Sequence, residues 1–293
     1  MTYIHFIVNP ISGSGKHNIS TPFLKSCFDE LNYRIEVDFS KHKKHAIALT
    51  KKIVENNPDY VVACGGDGTI NEVASCLVGT TIKLGIIPVG SGNGLASNLN
   101  IPRDVKTAIQ IIKAGKHMAM DVGKVNNHYF FSNMGIGIDS MIIKKYEQSG
   151  NRTLLAYIKA SLLSSLEFKP KESVLSYNNK IIHTKPFMLF VSNSNEMGYN
   201  MSLTPTASLT DGWLDLVVIP QLSFWNKIAL GISVLRNKIQ NFKKAEHHLI
   251  KDLIVKVPES IFLDAQIDGE SYNLKTNVLT ISLVENGLTV LVS

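Results

Sequence analysis

Two apolar runs, Tyr60-Val61-Val62-Ala63-Cys64 and Leu84-Gly85-Ile86-Ile87-Pro88-Val89, each empty into a glycine-rich turn that opens a helical pattern. Strand–turn–helix units in succession bring their turns side by side at the carboxyl edge of one parallel sheet, where open α/β folds take their ligands. The first turn is Gly65-Gly66-Asp67-Gly68-Thr69-Ile70-Asn71-Glu72, and the second is Gly90-Ser91-Gly92-Asn93-Gly94-Leu95-Ala96. Three glycines in four positions let the backbone take positive φ and come close to a ligand. The helix that follows offers unpaired N–H groups and a positive dipole end, which suits phosphate. Asp67 is the odd member, because a carboxylate beside a phosphate is repelled unless a cation or a transferable proton lies between them. That tension points to metal-assisted phosphoryl chemistry. The competing reading is a plain strand-to-helix turn with Asp67 as a helix cap. Asn71 and Glu72, two more polar groups one turn into the helix, weigh against it.

The rest of the first 115 residues follows the same alternation. Tyr3–Val8 reads as a buried strand, 20–31 as a helix capped by Ser20 or Thr21 with Pro22 in its first turn, and Tyr33–Phe39 as a strand. A basic helix start at Lys41-His42-Lys43-Lys44 runs to about Asn56, and another short helix opens at 101–104 and ends near Gly115. This predicts a parallel, three-layer α/β domain over residues 1–120. The opening loop Asn9-Pro10-Ile11-Ser12-Gly13-Ser14-Gly15-Lys16 fails as a Walker A motif twice: Pro10 stands where a glycine is needed, and His17 where Ser or Thr is needed. It remains a small-residue turn able to meet phosphates, or an ordinary βα loop.

From Asp121 onward the segments become shorter and more β-like, including 128–132, 174–177 and 181–191, with helices expected around 140–168 and 222–242. This predicts a second, β-sandwich-like domain over 121–293. The apolar helix from Leu222 to Phe242 carries Phe224 and Trp225 at its start. Its charges do not collect on one stripe, which favours core packing over a membrane lid. The chain has an apolar share of 44%, a charged share of 18% and a formal net charge of +6. Those values describe a globular protein suited to an anionic ligand or an anionic membrane surface. No basic block interleaved with aromatics suggests a nucleic-acid platform, so nucleic acid is not expected as a partner. Three cysteines without zinc-like spacing, no signal-peptide pattern and no long apolar stretch predict a cytoplasmic protein, peripheral at most to a membrane. A homodimer is compatible with all of this.

Taken together, GGDGTINE at 65–72, NPISGSGK at 9–16, PVGSGNGLA at 88–96 and the late DGE at 268–270 resemble the lipid kinases of the diacylglycerol kinase and sphingosine kinase group, in the family's order across almost the full length. The resemblance implies transfer of the γ-phosphoryl of ATP to a lipid hydroxyl, with Mg²⁺ and a lipid substrate. It also implies a chain whose end returns to the first domain. ATP contacts are carried over to Asn9, Pro10, Ser12, Gly13, Ser40, Gly65, Gly66, Asp67, Gly68, Thr69, Asn71 and Glu72, with Ser91 and Asn93 from the second turn. Asp67 would hold Mg²⁺ directly or through water, and Asp268 or Glu270 would accept the hydroxyl proton. Asp139, in Gly135-Ile136-Gly137-Ile138-Asp139, is the candidate for the lipid's polar head, with a helix N-cap as the competing reading. Asp121 lies where the chain crosses between domains and can serve the lipid or simply enter a strand. Asp211 with the carbonyls of Ser208 and Trp213 matches a structural Mg²⁺ site of bacterial members, against a plain Asp-Gly hairpin turn. One departure stands out: many diacylglycerol kinases carry an Asp where Gly94 stands. The rivals are an NAD kinase-like phosphotransferase, which also uses a GGDG turn, and a non-catalytic nucleotide- or lipid-binding regulator. The resemblance requires the glycine turns and the acidic pair of the late motif to meet at one groove.

Overall fold

The structure, a computed structural model, describes residues 1–293 apart from 14, 16, 152, 198–200 and 237. The chain divides into two compact units, one of residues 1–120 with 286–293 and one of residues 121–285. In the first unit the order is β1 (Thr2–Val8), α1 (Thr21–Ser26), β2 (Tyr33–Phe39), α2 (His45–Val54), β3 (Tyr60–Gly65), α3 (Asp67–Leu77), β4 (Lys83–Pro88), α4 (Gly94–Asn98) and α5 (Val105–Ala114). The strands pair in the order β2-β1-β3-β4, all parallel. β3 and β4 are buried along almost their whole length because helices cover both faces, which is why they read as unbroken apolar runs.

Two helices differ from the sequence expectation. α1 starts as predicted, with the Ser20 hydroxyl accepting from the Phe23 amide at 3.3 Å, but it ends at Ser26. α2 begins at His45, four residues later than expected, because Lys44 takes a left-handed φ of 67° and the Lys41 amide closes the turn on His45 Nδ1 at 3.0 Å. α5 obeys both end rules: Asp104 caps the Thr107 amide at 2.8 Å, and Gly115 takes the left-handed position that stops it.

The second unit takes up most of β5 (His117–Val125), then β6 (His128–Phe130), β7 (Asn133–Gly137), α6 (Ile138–Gln148), α7 (Leu154–Glu167), β8 (Ser173–Tyr177), β9 (Lys180–Thr184), β10 (Pro186–Ser192), β11 (Leu214–Pro220), α8 (Phe224–Leu235), β12 (Glu246–Ile250), β13 (Asp252–Lys256), β14 (Leu263–Ile267), β15 (Glu270–Leu274) and β16 (Val278–Leu291). One antiparallel sheet runs β12-β11-β10-β7-β14-β15, and a second set runs from the start of β16 through β13 and β8 to β9. Met134, Leu189, Leu216 and Ala265 of the first pack with Leu175, Leu253, Val255 and Ile281 of the second between them, which makes a two-sheet sandwich. The other face of the six-stranded sheet is covered by α6, α7 and α8 through Ile142, Ala160, Phe190, Ile219 and Leu230.

β16 starts in the second unit and finishes in the first, where Val290 pairs with Leu84 on β4. There Leu288, Val290 and Leu291 are buried, and the Gly287 carbonyl accepts from the Gly79 amide at 2.9 Å. The helix expected over 222–242 is shorter and less buried than its apolar pattern suggests. α8 buries Leu230 but leaves Phe224 57% and Trp225 76% exposed. No helix among the described residues is long and apolar enough to cross a membrane.

Candidate functional site

In the first unit, the loops after β1, β3 and β4 meet backbone to backbone. A Cβ on Gly90 would stand 2.3 Å from Gly66 Cα, and one on Gly13 would stand 2.3 Å from the Val89 carbonyl oxygen. Only glycine permits that approach, so the three turns form one continuous floor. Asp67 ties it together. Its Oδ2 accepts from the Asn93 amide and its Oδ1 from the Gly94 amide, both at 2.7 Å. The second turn is braced from inside as well, since Asn93 takes a φ of 59° and its side chain bonds both the amide and the carbonyl of Gly90. Asn9 Nδ2 donates to Thr69 Oγ1 at 3.0 Å, and the Ser40 amide donates to the Val8 carbonyl, bringing the opening loop and the end of β2 to the same edge. Pro10 lies in the exposed turn that follows, while Ser12 is buried within it. Ser14 and Lys16 of that loop lie outside the described residues.

α3 opens at Gly66 without a side-chain cap, so a ligand that accepts hydrogen bonds meets amides there. Asp67 is therefore the first residue of the helix and a bridge between turns, not its cap. Glu72 has a different position from the one the motif suggests. Its carboxylate accepts from the amides of Lys44 at 2.7 Å and Ala46 at 3.2 Å, capping α2, whose own N-cap residue has no side-chain bond to give. Asn71 Oδ1 accepts from Ser75 Oγ one turn on. Arg103, which drew no attention in the sequence, donates to the Ser91 and Gly92 carbonyls at 2.8 and 3.0 Å. His17, where a Walker loop needs a hydroxyl, turns back through Nε2 to the Asn9 carbonyl at 2.9 Å.

In the second unit, Asp268 and Gly269 join β14 to β15 with φ of 47° and 78°, as a tight two-residue hairpin requires. The Asp268 carboxylate is nine-tenths buried and accepts three successive amides, those of Phe131, Ser132 and Asn133, at 2.9, 2.8 and 3.1 Å. Glu270 begins β15, paired with Ile267. Gln266 supports the turn by accepting the Gly269 amide at 2.8 Å while donating to Asn133 Oδ1 at 2.6 Å. Asn193, fully buried, donates to the carbonyls of Asp121 and Phe131. Its carbonyl oxygen has no partner among the described residues. Asn133, Asn193 and Gln266 are residues the sequence did not single out. The only available signal was the polar Ser192-Asn193-Ser194-Asn195 run after a buried strand.

Asp121 is buried and accepts the Gly212 amide at 2.9 Å, which holds the 208–213 loop. In that loop Asp211 Oδ1 accepts the Trp213 amide at 3.1 Å, an Asx-type turn, and Ser208 Oγ lies 3.5 Å from Thr210 Oγ1. No cluster of three or more metal-ligating side chains occurs among the described residues. Asp139 sits in the first turn of α6, which starts after Gly137 without a side-chain cap. Its carboxyl is 1% exposed with Oδ2 unpartnered, packed so tightly that a Cβ on Gly135 would stand 2.0 Å from it.

Burial pushes the Asp139 carboxyl up from 3.8 to about 7, with a hydrogen bond from Gln266 working weakly the other way. Below the ordinary carboxylate pKa, folded and unfolded chains both hold this proton. Between about pH 4 and pH 7 only the folded chain holds it, so stability falls as pH rises through that window and levels off above it. Asp139→Asn is expected to remove that slope and to be more stable than the parent at about pH 8, by on the order of 4 kcal/mol at most. Urea unfolding of both proteins across the window checks this; parallel pH profiles would contradict it.

Residues 3–125 match the family model described as diacylglycerol kinase catalytic domain, and residues 132–282 match that of the YegS C-terminal NAD kinase beta sandwich-like domain. A curated diacylglycerol kinase of Bacillus subtilis (strain 168) is 28% identical over 277 residues, covering 92% of this chain and 90% of that protein. One of Staphylococcus aureus (strain bovine RF122 / ET3-1) is 26% identical over 271 residues, covering 90% and 84%. Among solved structures, a diacylglycerol kinase of Bacillus anthracis str. Sterne superimposes with a TM-score of 0.72 at 18% identity, over 99% of this chain and 97% of that one. At that identity the likeness is one of fold.

Proposed function

Because the chain belongs to the family that joins a diacylglycerol kinase catalytic domain to a YegS-type C-terminal β-sandwich domain, and is thereby a lipid kinase, we propose that it transfers the γ-phosphoryl of ATP to the free hydroxyl of diacylglycerol or a closely related lipid. The observation that carries this reading is the glycine floor, with Gly66 against Gly90 and Gly13 against Val89 at the carboxyl edge of a parallel sheet. Phosphoryl transfer is mostly a matter of positioning and counter-charge, so a rigid surface of amides is what the chemistry needs from the protein. In this reading the amides from Gly66 to Thr69, with Asn9, Ser12 and Gly13, hold the phosphates, and Ser91 and Asn93 approach the nucleotide from the second turn.

The donor set suits Mg²⁺ arriving with the nucleotide, since that ion commonly takes one or two carboxylates and completes its shell with phosphate and water. Asp67 is the residue that would hold it there, through water given its two amide bonds, and the ion would neutralise charge on the phosphates. A second Mg²⁺ at Asp211, with the Ser208 and Trp213 carbonyls, belongs to the same proposal. Asp268 is the proposed base. Its three amide donors fix one orientation of the carboxylate, which is what a group that must meet a single hydroxyl needs. Gly94, the departure noted in the sequence, supplies its backbone amide to Asp67 and places no second carboxylate beside it.

We further propose contact with an anionic membrane surface. Leu155, Leu162 and Leu166 on α7, with Phe224 and Trp225 on α8, are exposed and apolar, on a chain of net positive charge. The test is transfer of labelled phosphate from ATP to diacylglycerol, sphingosine and NAD, with the lipids in anionic or zwitterionic vesicles. Labelled phosphatidate is expected, forming faster on anionic vesicles. Labelling of NAD alone, or of nothing, would overturn the reading.

A further inference from the structure

A pocket of about 520 Å³ opens within the second unit, against one face of α6. That is the size of a site for a small organic ligand. Its floor is apolar, formed by Ile136, Val257 and Leu263, and its rim carries Phe262, which is 54% exposed, beside Ile261 at 79%. Four lysines line the same pocket: Lys144, Lys145, Lys169 and Lys171. Asp264 is the one carboxylate among the described lining residues, and it is already engaged by Lys144 Nζ at 3.0 Å and Asn273 Nδ2 at 2.6 Å. Lys171 Nζ donates to the Ser260 hydroxyl at 2.9 Å and Lys145 pairs with Glu167 at 2.6 Å, while Lys169 has no carboxylate partner among the described residues. The positive field is felt locally. Burial pushes the Asp264 carboxyl up, yet the hydrogen bonds from Asn273 and Lys144 and the charges of Lys144 and Lys171 outweigh it and hold it below its ordinary value.

A neutral lipid would leave Lys169 and Lys171 without a counter-charge, and a bare inorganic anion would leave the apolar floor and Phe262 unused. We propose that this pocket binds an anionic single-chain amphiphile, its phosphate-type head on the lysine rim and its chain on the floor between α6 and β14. The site is separate from the Asp268 turn, which lies at the opposite end of β14, roughly 13 Å along the strand from Asp264. It rests on the pocket's own chemistry and not on the kinase reading, and binding is measured without nucleotide.

Titration calorimetry on the full chain distinguishes the sources of the anion. The probes are monomeric oleoyl lysophosphatidate below its critical micelle concentration, oleoyl monoacylglycerol and inorganic phosphate. Lysophosphatidate is expected to bind about tenfold or more tightly than either other probe. The doubly substituted Lys169→Glu, Lys171→Glu protein should bind it about tenfold more weakly, and Phe262→Ser several-fold more weakly. All three side chains are exposed, so both variants should melt with the parent. Equal affinity for monoacylglycerol or for inorganic phosphate would overturn the proposal. So would absence of lysophosphatidate binding, or full affinity in both variants.

Discussion

Asp268→Asn is expected to lower phosphoryl transfer by about 10²–10⁴-fold while ATP affinity stays at the parent value. The side chain accepts at both oxygens. Oδ1 takes the Ser132 and Asn133 amides, and Oδ2 takes that of Phe131. An Asn can keep its carbonyl oxygen in the Oδ1 place, but its amide nitrogen then faces the Phe131 N–H, donor against donor. That mismatch costs about 1–3 kcal/mol of stability. Activity is therefore measured per folded molecule, with a melting curve and a nucleotide titration on the same sample. Glu270→Gln is the companion variant, because Glu270 is the only other acid in the Asp-Gly-Glu turn. Full turnover in Asp268→Asn together with loss in Glu270→Gln would move the base to Glu270. Full turnover in both would remove the turn from the chemistry.

The second large effect is expected at Gly90. A methyl group there would stand 2.3 Å from Gly66 Cα and 2.7 Å from Asn93 Oδ1, both held in place by the Asp67 and Asn93 bonds. Asn93 Oδ1 is a side-chain end held by the Gly90 amide, but Gly66 Cα is backbone and cannot swing aside, so the two glycine turns must part. Gly90→Ala should cost about 1–3 kcal/mol or more of stability and weaken ATP binding by about tenfold or more. Gly231→Ala is the control. It lies inside α8 with nothing within 4 Å of the added carbon, and there the same substitution should stabilise by roughly 0.5–1 kcal/mol. Denaturant unfolding and nucleotide titration read both variants. Unchanged ATP affinity in Gly90→Ala would show that the close approach of the turns is not what forms the binding floor.

The fold class was legible because its signals are local. Apolar runs of strand length, glycine turns and helix caps sit within a few residues of one another, and β1 to β4 follow from them directly. The family resemblance was legible because its motifs are contiguous. What could not be read was how polar groups spend their hydrogen bonds across long sequence separations. Glu72 sits in the middle of the phosphate-binding motif, yet its carboxylate caps a helix that begins 27 residues earlier at His45, a service that no local pattern announces. The amides that hold Asp268 come from the turn before β7 and from its first residue, far back along the chain. α8 misled for a different reason. An apolar helix that packs one stripe and exposes another has the composition of a buried one, and only the sheet beneath it decides which residues stay outside.

The last strand finishes in the unit that the chain began, with Leu288, Val290 and Leu291 buried and the Val292 amide bonded to the Lys116 carbonyl at 2.9 Å. During synthesis, then, residues 1–120 leave the ribosome well before the segment that completes their own sheet. At ordinary elongation rates the gap is on the order of 10–30 s, during which the outer edge of β4 stands without its neighbour. A chain cut back before Leu288 would lose Leu288, Val290 and Leu291 from that sheet, so the half it destabilises is the half translated first.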